Sequence, residues 1–515
     1  MDKQTALERL RALDRERMHL VRSAALLQWD QETGLPPEGV EDRAEQLAVL
    51  EGLAHEKLVN PELGQLLEVL EARGFVEDPP AGTASFPGED FLRVLRRDYE
   101  RAVKLPVDFV RECARTEGLS QAVWVKARRQ RDFSLFAPHL EKMVRHAQEK
   151  TRFWGWGAPG SGTTLYDGLL DLYEPDLSAG DMAAVFGPLG ERLSALLQKI
   201  TAAPEKLQGL PGFLHGHYNP QKQDAFCREL LQGLGFDFNR GRLDCSAHPF
   251  TSTLGFNDVR ITTRYAAEDP MAGLLSVVHE AGHAFYEMAL DPLLRSSCLG
   301  EGTSMGIHES QSRLWENVIG RSRSFWRGWF PRFREFFPEE TRGRGVEDLY
   351  RELNRVRPSL IRVEADEVSY SLHIILRFEL EQGLIGGALT VNELPAAWNA
   401  AMKKYLGLSP ADDADGVLQD IHWSMGAFGY FPSYALGNLY GLQLWEKLGE
   451  DLPGMAESLE RRDYGGIHRW LGEKIYRRGR RVEPARLIEE ATGKPLSSSA
   501  FLGYIEKKYS ELYEL

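Results

Sequence analysis

Residues 269–290 read DPMAGLLSVVHEAGHAFYEMAL, and the rest of the chain is best read outward from them. Asp269 suits an N-cap and Pro270 the first helical position. Leu274, Leu275, Val278, Phe285 and Met288 then recur at helical spacing. On the helix so predicted, His279 and His283 lie one turn apart on one face, close enough to share an ion. Glu280 is turned by about 100° and flanks that ion without ligating it. Two imidazoles and a carboxylate able to take a proton from a metal-bound water form the donor arrangement of zinc hydrolases. A helix with two incidental histidines explains the stretch poorly. His279 follows Ser276-Val277-Val278, where unpartnered polar groups are costly.

The totals narrow the setting. A chain of 515 residues can bury a large core, and a net charge of −14 argues against a broad nucleic-acid footprint. No apolar run reaches the length of a membrane span. The opening MDKQTALERLRALDRERMHL is charged and helical, without a cleavable apolar segment. Cys113, Cys227, Cys245 and Cys298 show neither CxxC spacing nor a disulfide framework. A cytoplasmic protein is expected.

Most of the chain reads as helices. Leu7, Leu10, Leu13, Leu20, Val21 and Ala24 form an apolar stripe suited to packing within the chain more than to a dimer seam. Breaks are expected at Leu35-Pro36-Pro37-Glu38-Gly39 and at residues 77–90. Gly157 to Thr164 nearly spells a phosphate-binding loop, but Thr163 stands where a lysine is needed, which excludes nucleotide binding of that kind. Residues 246–266, with β-branched and aromatic residues in short runs, predict a small antiparallel sheet beside the metal helix. His215 and His217 lie in a Gly/Pro-rich loop and read as surface histidines. Helices are expected over 305–320 and 359–382, the second ending at Gly383. The economical architecture is a single mainly α-helical body over residues 1–515, divided by a deep groove.

A catalytic zinc needs a third protein ligand and an open position. Glu287 lies two turns beyond His279, too far to ligate, and is expected to steady His283 from behind. Glu301, His308, Glu309 and Glu316 follow in GEGTSMGIHESQSRLWENVIG; spacing ranks Glu309 first and leaves Glu301 and His308 open. Arg362, Asp366, Ser369, His373 and Arg377 form one polar stripe if their segment is helical. That stripe is either a salt-bridged face or a groove wall with a guanidinium for a carboxylate. Gln419, His422, Tyr430 and Tyr434 lie among glycines and aromatics; a His and a Tyr could serve an oxyanion, although such loops commonly just pack.

Six motifs occur in an order that resembles the carboxypeptidase Taq family of metallocarboxypeptidases. They are His248-Pro249-Phe250, Asp258-Val259-Arg260-Ile261-Thr262, His279 to His283, His308-Glu309-Ser310-Gln311, Ile361-Arg362-Val363-Glu364-Ala365-Asp366 and Gly416 to Trp423. The segments WDQETGLPP and YDGLLDLYEP are similar to family segments too, the former with Leu35 where methionine is more usual. The resemblance implies Glu309 as third ligand to a zinc or cobalt ion. It also implies an elongated, two-lobed helical fold like those of neurolysin and angiotensin-converting enzyme, and a homodimer. The implied activity is release of single C-terminal residues from peptides, with broad tolerance and poor action at proline, and Glu280 as the base. By the same analogy His422 and Tyr434 or Tyr430 meet the scissile carbonyl. Arg362, with Arg260 as runner-up, meets the substrate carboxylate, and His248, Asp258 and Gln419 shape the groove. An oligopeptidase or dipeptidyl-carboxypeptidase on the same site is the alternative, followed by a non-catalytic peptide-binding scaffold.

Overall fold

The expected metal helix forms as α-helix Pro270–Met288, with the Asp269 side chain accepting the N–H groups of Met271 and Ala272 at 3.2 and 3.1 Å. Most of its residues are buried, as its largely apolar composition demands. In the computed structural model, which describes residues 2–72, 86–204 and 212–515, helices surround this element and one continuous buried apolar cluster runs from Ala6 to Tyr513. Nine elements position the site: helices α1 (Lys3–Thr33) and α2 (Val40–Leu58), strands β1 (Gly241–Cys245), β2 (Thr251–Gly255) and β3 (Asp258–Thr263), then α3 (Pro270–Met288), α4 (Met305–Arg313), α5 (Tyr370–Gly386) and α6 (Phe431–Asp451).

The sheet is mixed rather than antiparallel. Its order is β1-β3-β2, with β1 parallel to β3 and β2 antiparallel to it at the outer edge. Gly-Arg-Leu-Asp-Cys lacks the β-branched run that marks a strand in sequence; only Leu243 is buried, and β3 recruits the segment. Val259, Ile261 and Thr263 point into the core, where the Thr263 hydroxyl donates to the Gly273 carbonyl of α3 at 3.0 Å. Asp258 and Arg260 therefore point to the other face. There Trp29 of α1 meets the guanidiniums of Arg242 and Arg260, 5.0 and 4.3 Å from its ring centre.

Other breaks follow the chain chemistry. The Pro36–Gly39 break separates α1 from α2 through a single turn. Residues 77–85 of the second expected break lie outside the described residues. The near-phosphate loop ends instead as the N-cap of a short helix, where Thr164 and Asp167 bond reciprocally. His215 and His217 are exposed, and all four cysteines are free. Among the described residues no helix is long and apolar enough to cross a membrane.

The helix expected from residue 359 begins only at Tyr370, because Asp366 accepts the N–H groups of Val368 and Ser369 and holds the chain in a turn. It runs past Gly383 to end at Gly387, whose φ of 78° favours glycine. Arg362 thus sits on a separate helical turn, and the expected stripe is no single helix face.

Candidate metal centre and active site

Two glycines bring three helices together. A Cβ on Gly282 of α3 would stand 2.6 Å from the Gln311 carbonyl oxygen, and one on Gly437 of α6 would stand 2.4 Å from Glu309 Cγ. With hydrogen in those places α4 packs tightly between α3 and α6, which sets Glu309 opposite the two histidines. Its Oε2 lies 3.7 Å from His279 Nε2 and 3.4 Å from His283 Nε2. Donor atoms of the three residues fall within 4.8 Å of one another, the one such group among the described residues.

The groups behind these donors fix their orientation. His279 Nδ1 is 2.9 Å from Glu316 Oε2. His283 Nδ1 is 2.6 Å from His308 Nδ1, and His308 Nε2 is 2.8 Å from Glu287 Oε1. Glu287 therefore supports His283 through an intervening imidazole. Glu316 and His308, both weighed as ligands from spacing, stand behind the histidines instead, and Glu301 pairs with Arg480 at 3.6 Å. Both Nε2 atoms are left facing the Glu309 carboxylate, as Nε2 ligation requires.

Charge favours the same donor set. Burial pushes the His283 pKa down to about 4, which keeps it neutral. Burial also opposes ionisation of Glu309, but Arg313 and the two histidines outweigh it and hold this carboxyl far below its usual range. Arg313 Nε donates to Glu309 Oε1 at 2.7 Å, leaving Oε2 turned to the histidines. Burial likewise opposes ionisation of Glu316, yet its bond to His279 and the nearby Arg313 bring it to about 2. Against burial, the carboxylates of Glu309 and Glu316 raise the His279 pKa. Two imidazole nitrogens and an ionised carboxylate suit a divalent ion of zinc type.

Glu280 is buried, which raises its pKa, and the Thr251 hydroxyl donates to its Oε2 at 2.6 Å. Across the donors, the Glu309 charge adds to burial in raising Tyr430 to about 12 and also raises Tyr434. His422 Nε2 lies 3.3 Å from the Tyr434 hydroxyl, and burial lowers His422 to about 4.

The remaining expected residues divide. Arg362 is buried, bonded to Asp420 at 2.9 Å and to the Tyr370 hydroxyl at 3.2 Å, with its guanidinium 4.9 Å from the Tyr434 ring centre. Arg377 bonds the other oxygen of Asp420 at 2.8 Å. Gln419 is committed on both ends: its Oε1 accepts from Arg362 N and Arg377, and its Nε2 donates to the Leu360 carbonyl. Arg260 and Asp258 bond each other twice at 2.9 Å on the sheet face away from α3, so the fold does not gather them with the donors. His248 is exposed in the loop leading to β2. Sequence reasoning passed over Thr251 and Arg313. Thr251 lies 29 residues before Glu280 and carries no local signal; Arg313, four residues after Glu309 on one helix, could have been found by spacing.

The chain is similar to known proteins along nearly its whole length. The family model for the carboxypeptidase Taq (M32) metallopeptidases matches residues 9–509. Thermostable carboxypeptidase 1 of Thermus thermophilus is 40% identical over 517 residues, covering 100% of both chains. Carboxypeptidase 1 of Bacillus subtilis is 38% identical over 96% of each. The crystal structure of an M32 carboxypeptidase from Deinococcus radiodurans superposes with a TM-score of 0.93 at 39% identity, covering 99% of this chain and 100% of that one. The chain belongs to the carboxypeptidase Taq (M32) metallopeptidase family and is a metallocarboxypeptidase.

Proposed function

We propose that the protein releases single residues from the free C-termini of peptides, with His279, His283 and Glu309 holding one divalent ion, zinc by donor type and cobalt as an acceptable substitute. The observation that carries this reading is the buried Glu280 carboxylate, held by Thr251 on the residue next to His279. A structural metal site needs no such base.

When bound, a divalent ion supplies Lewis acidity, lowering the pKa of a water and polarising a carbonyl. Glu280 takes the proton of the attacking water and then delivers it to the departing amine. Tyr434, or Tyr430 beside it, and neutral His422 donate to the carbonyl oxygen as its charge grows. The C-terminal carboxylate is met at the Arg362 wall. Arg362 and Arg377 share the single carboxylate of Asp420, so one positive charge remains there. Arg260, matched one to one by Asp258, leaves no such surplus. Side chains of the leaving residue are broadly tolerated and proline is a poor substrate. The working form is a cytoplasmic homodimer; light scattering at twice 58.2 kDa tests the dimer.

Mass spectrometry of a decapeptide digest tests the activity. A ladder of single C-terminal losses that stalls before proline and is blocked by C-terminal amidation is expected. Losses of two residues, or internal cuts unaffected by amidation, would replace it with a dipeptidyl-carboxypeptidase or oligopeptidase. Tight metal binding without any hydrolysis would leave a peptide-binding scaffold.

A further inference from the structure

A cavity of about 550 Å³ opens beside the metal centre, between α1, β2 and the segment 300–305. His308 and Glu287 line its inner side, so it lies one imidazole away from His283. Thr253 of β2 lines another side, two positions along the strand from Thr251, which holds Glu280. Five arginines face this space, and four of them already hold a carboxylate; Arg480, for instance, grips Asp98 with two bonds of 2.9 Å. Glu301, at the rim, is engaged by Arg480. Arg22 is the exception. Among the described residues it has no hydrogen bond or ion pair, only the Phe256 ring 5.7 Å away. It is half-buried, and that burial pulls its pKa down against the upward pull of the Glu301 and Glu287 carboxylates, neither of which forms an ion pair with it.

β2 is an edge strand of the sheet and runs from Glu280 towards this cavity. An extended peptide adds to such an edge through its main chain, most often antiparallel. Bound so, its C-terminal end points past Glu280, away from the cavity, and its N-terminal part reaches the cavity. At about 3.4 Å per residue, Thr253 faces the peptide some two residues upstream of the position facing Thr251.

We propose that this cavity is a specificity subsite for an acidic side chain lying two or three residues to the N-terminal side of the cleaved bond, with Arg22 as its partner. The subsite rests on the carboxypeptidase reading above. A carboxylate reaching in gives Arg22 a charge-assisted bond in a half-buried place, where a neutral amide gives less.

The test uses two series of otherwise identical heptapeptides carrying Glu or Gln two or three residues upstream of the cleaved bond. The wild-type protein should favour the better Glu peptide about fivefold in kcat/KM. Arg22→Gln should bring that ratio to near 1, while Arg22→Lys keeps part of it. Equal use of Glu and Gln peptides by the wild type, or a preference that survives in Arg22→Gln, overturns the subsite. If no peptide loses a C-terminal residue, the activity reading has failed on its own. Calorimetric binding of the same pairs to chelator-treated wild type and Arg22→Gln then decides the subsite: tighter binding of Glu lost in the variant supports it, and equal binding overturns it.

Discussion

Glu280 stands between opposed influences: burial raises its pKa, while His279 and the Thr251 hydroxyl lower it. As the proposed base it must be ionised to take a proton, so turnover should be present above this pKa and lost as the pH falls through it. Thr251→Val removes one lowering influence, and the acid limb of kcat/KM should move to higher pH; an unmoved limb would deny Thr251 this role. Glu280→Gln should bind zinc at full stoichiometry by elemental analysis and lose about 10²–10⁴-fold in kcat. His279, Glu280 and His283 were legible because one helix spaces them. Glu309 was only ranked by spacing, since His308 and Glu316 sit at equally plausible offsets and their duty is set by packing. His283 Nδ1 needs an acceptor, and His308, backed by Glu287, provides it.

At the level of elements, the closeness of α4 to α3 and α6 matters more than any helix alone. Gly437→Ala inserts a methyl group where Glu309 Cγ would be 2.4 Å away, so α4 must shift. A stability loss of about 1–3 kcal/mol is expected. Metal affinity, read by competition with a chromophoric chelator, should fall by at least an order of magnitude. Gly503→Ala is the control, because nothing lies within 4 Å of its added methyl; about 0.4–1 kcal/mol of stabilisation is expected by chemical denaturation. The metal helix was legible almost to the residue, with a cap, a proline and an apolar period all agreeing. β1 and the start of α5 were not. Five residues without one β-branched side chain become a strand only because β3 offers an edge, and Asp366 stops a helix through hydrogen bonds invisible to periodicity.

Across the whole molecule, an ion held by three helical donors should link metal binding to stability. Chelation should lower the melting temperature by several degrees in calorimetry, and added zinc should restore it, because binding to the folded state alone contributes about 4 kcal/mol at a thousandfold excess over Kd. The mainly helical class was legible from pattern, while the family likeness rested on motifs scattered from Trp29 to Trp423. Their scatter reflects how the site is assembled. Asp14 of α1, fully buried, accepts the N–H of Cys298, 284 residues further on. A ribosome adding about 5–20 residues per second makes the first partner roughly 15–60 s before the second. Trp29 waits in the same way for Arg242 and Arg260. The first helix therefore waits for its final neighbours until the middle of the chain has been made, so its carboxylate and its indole cannot settle while only the N-terminal part exists.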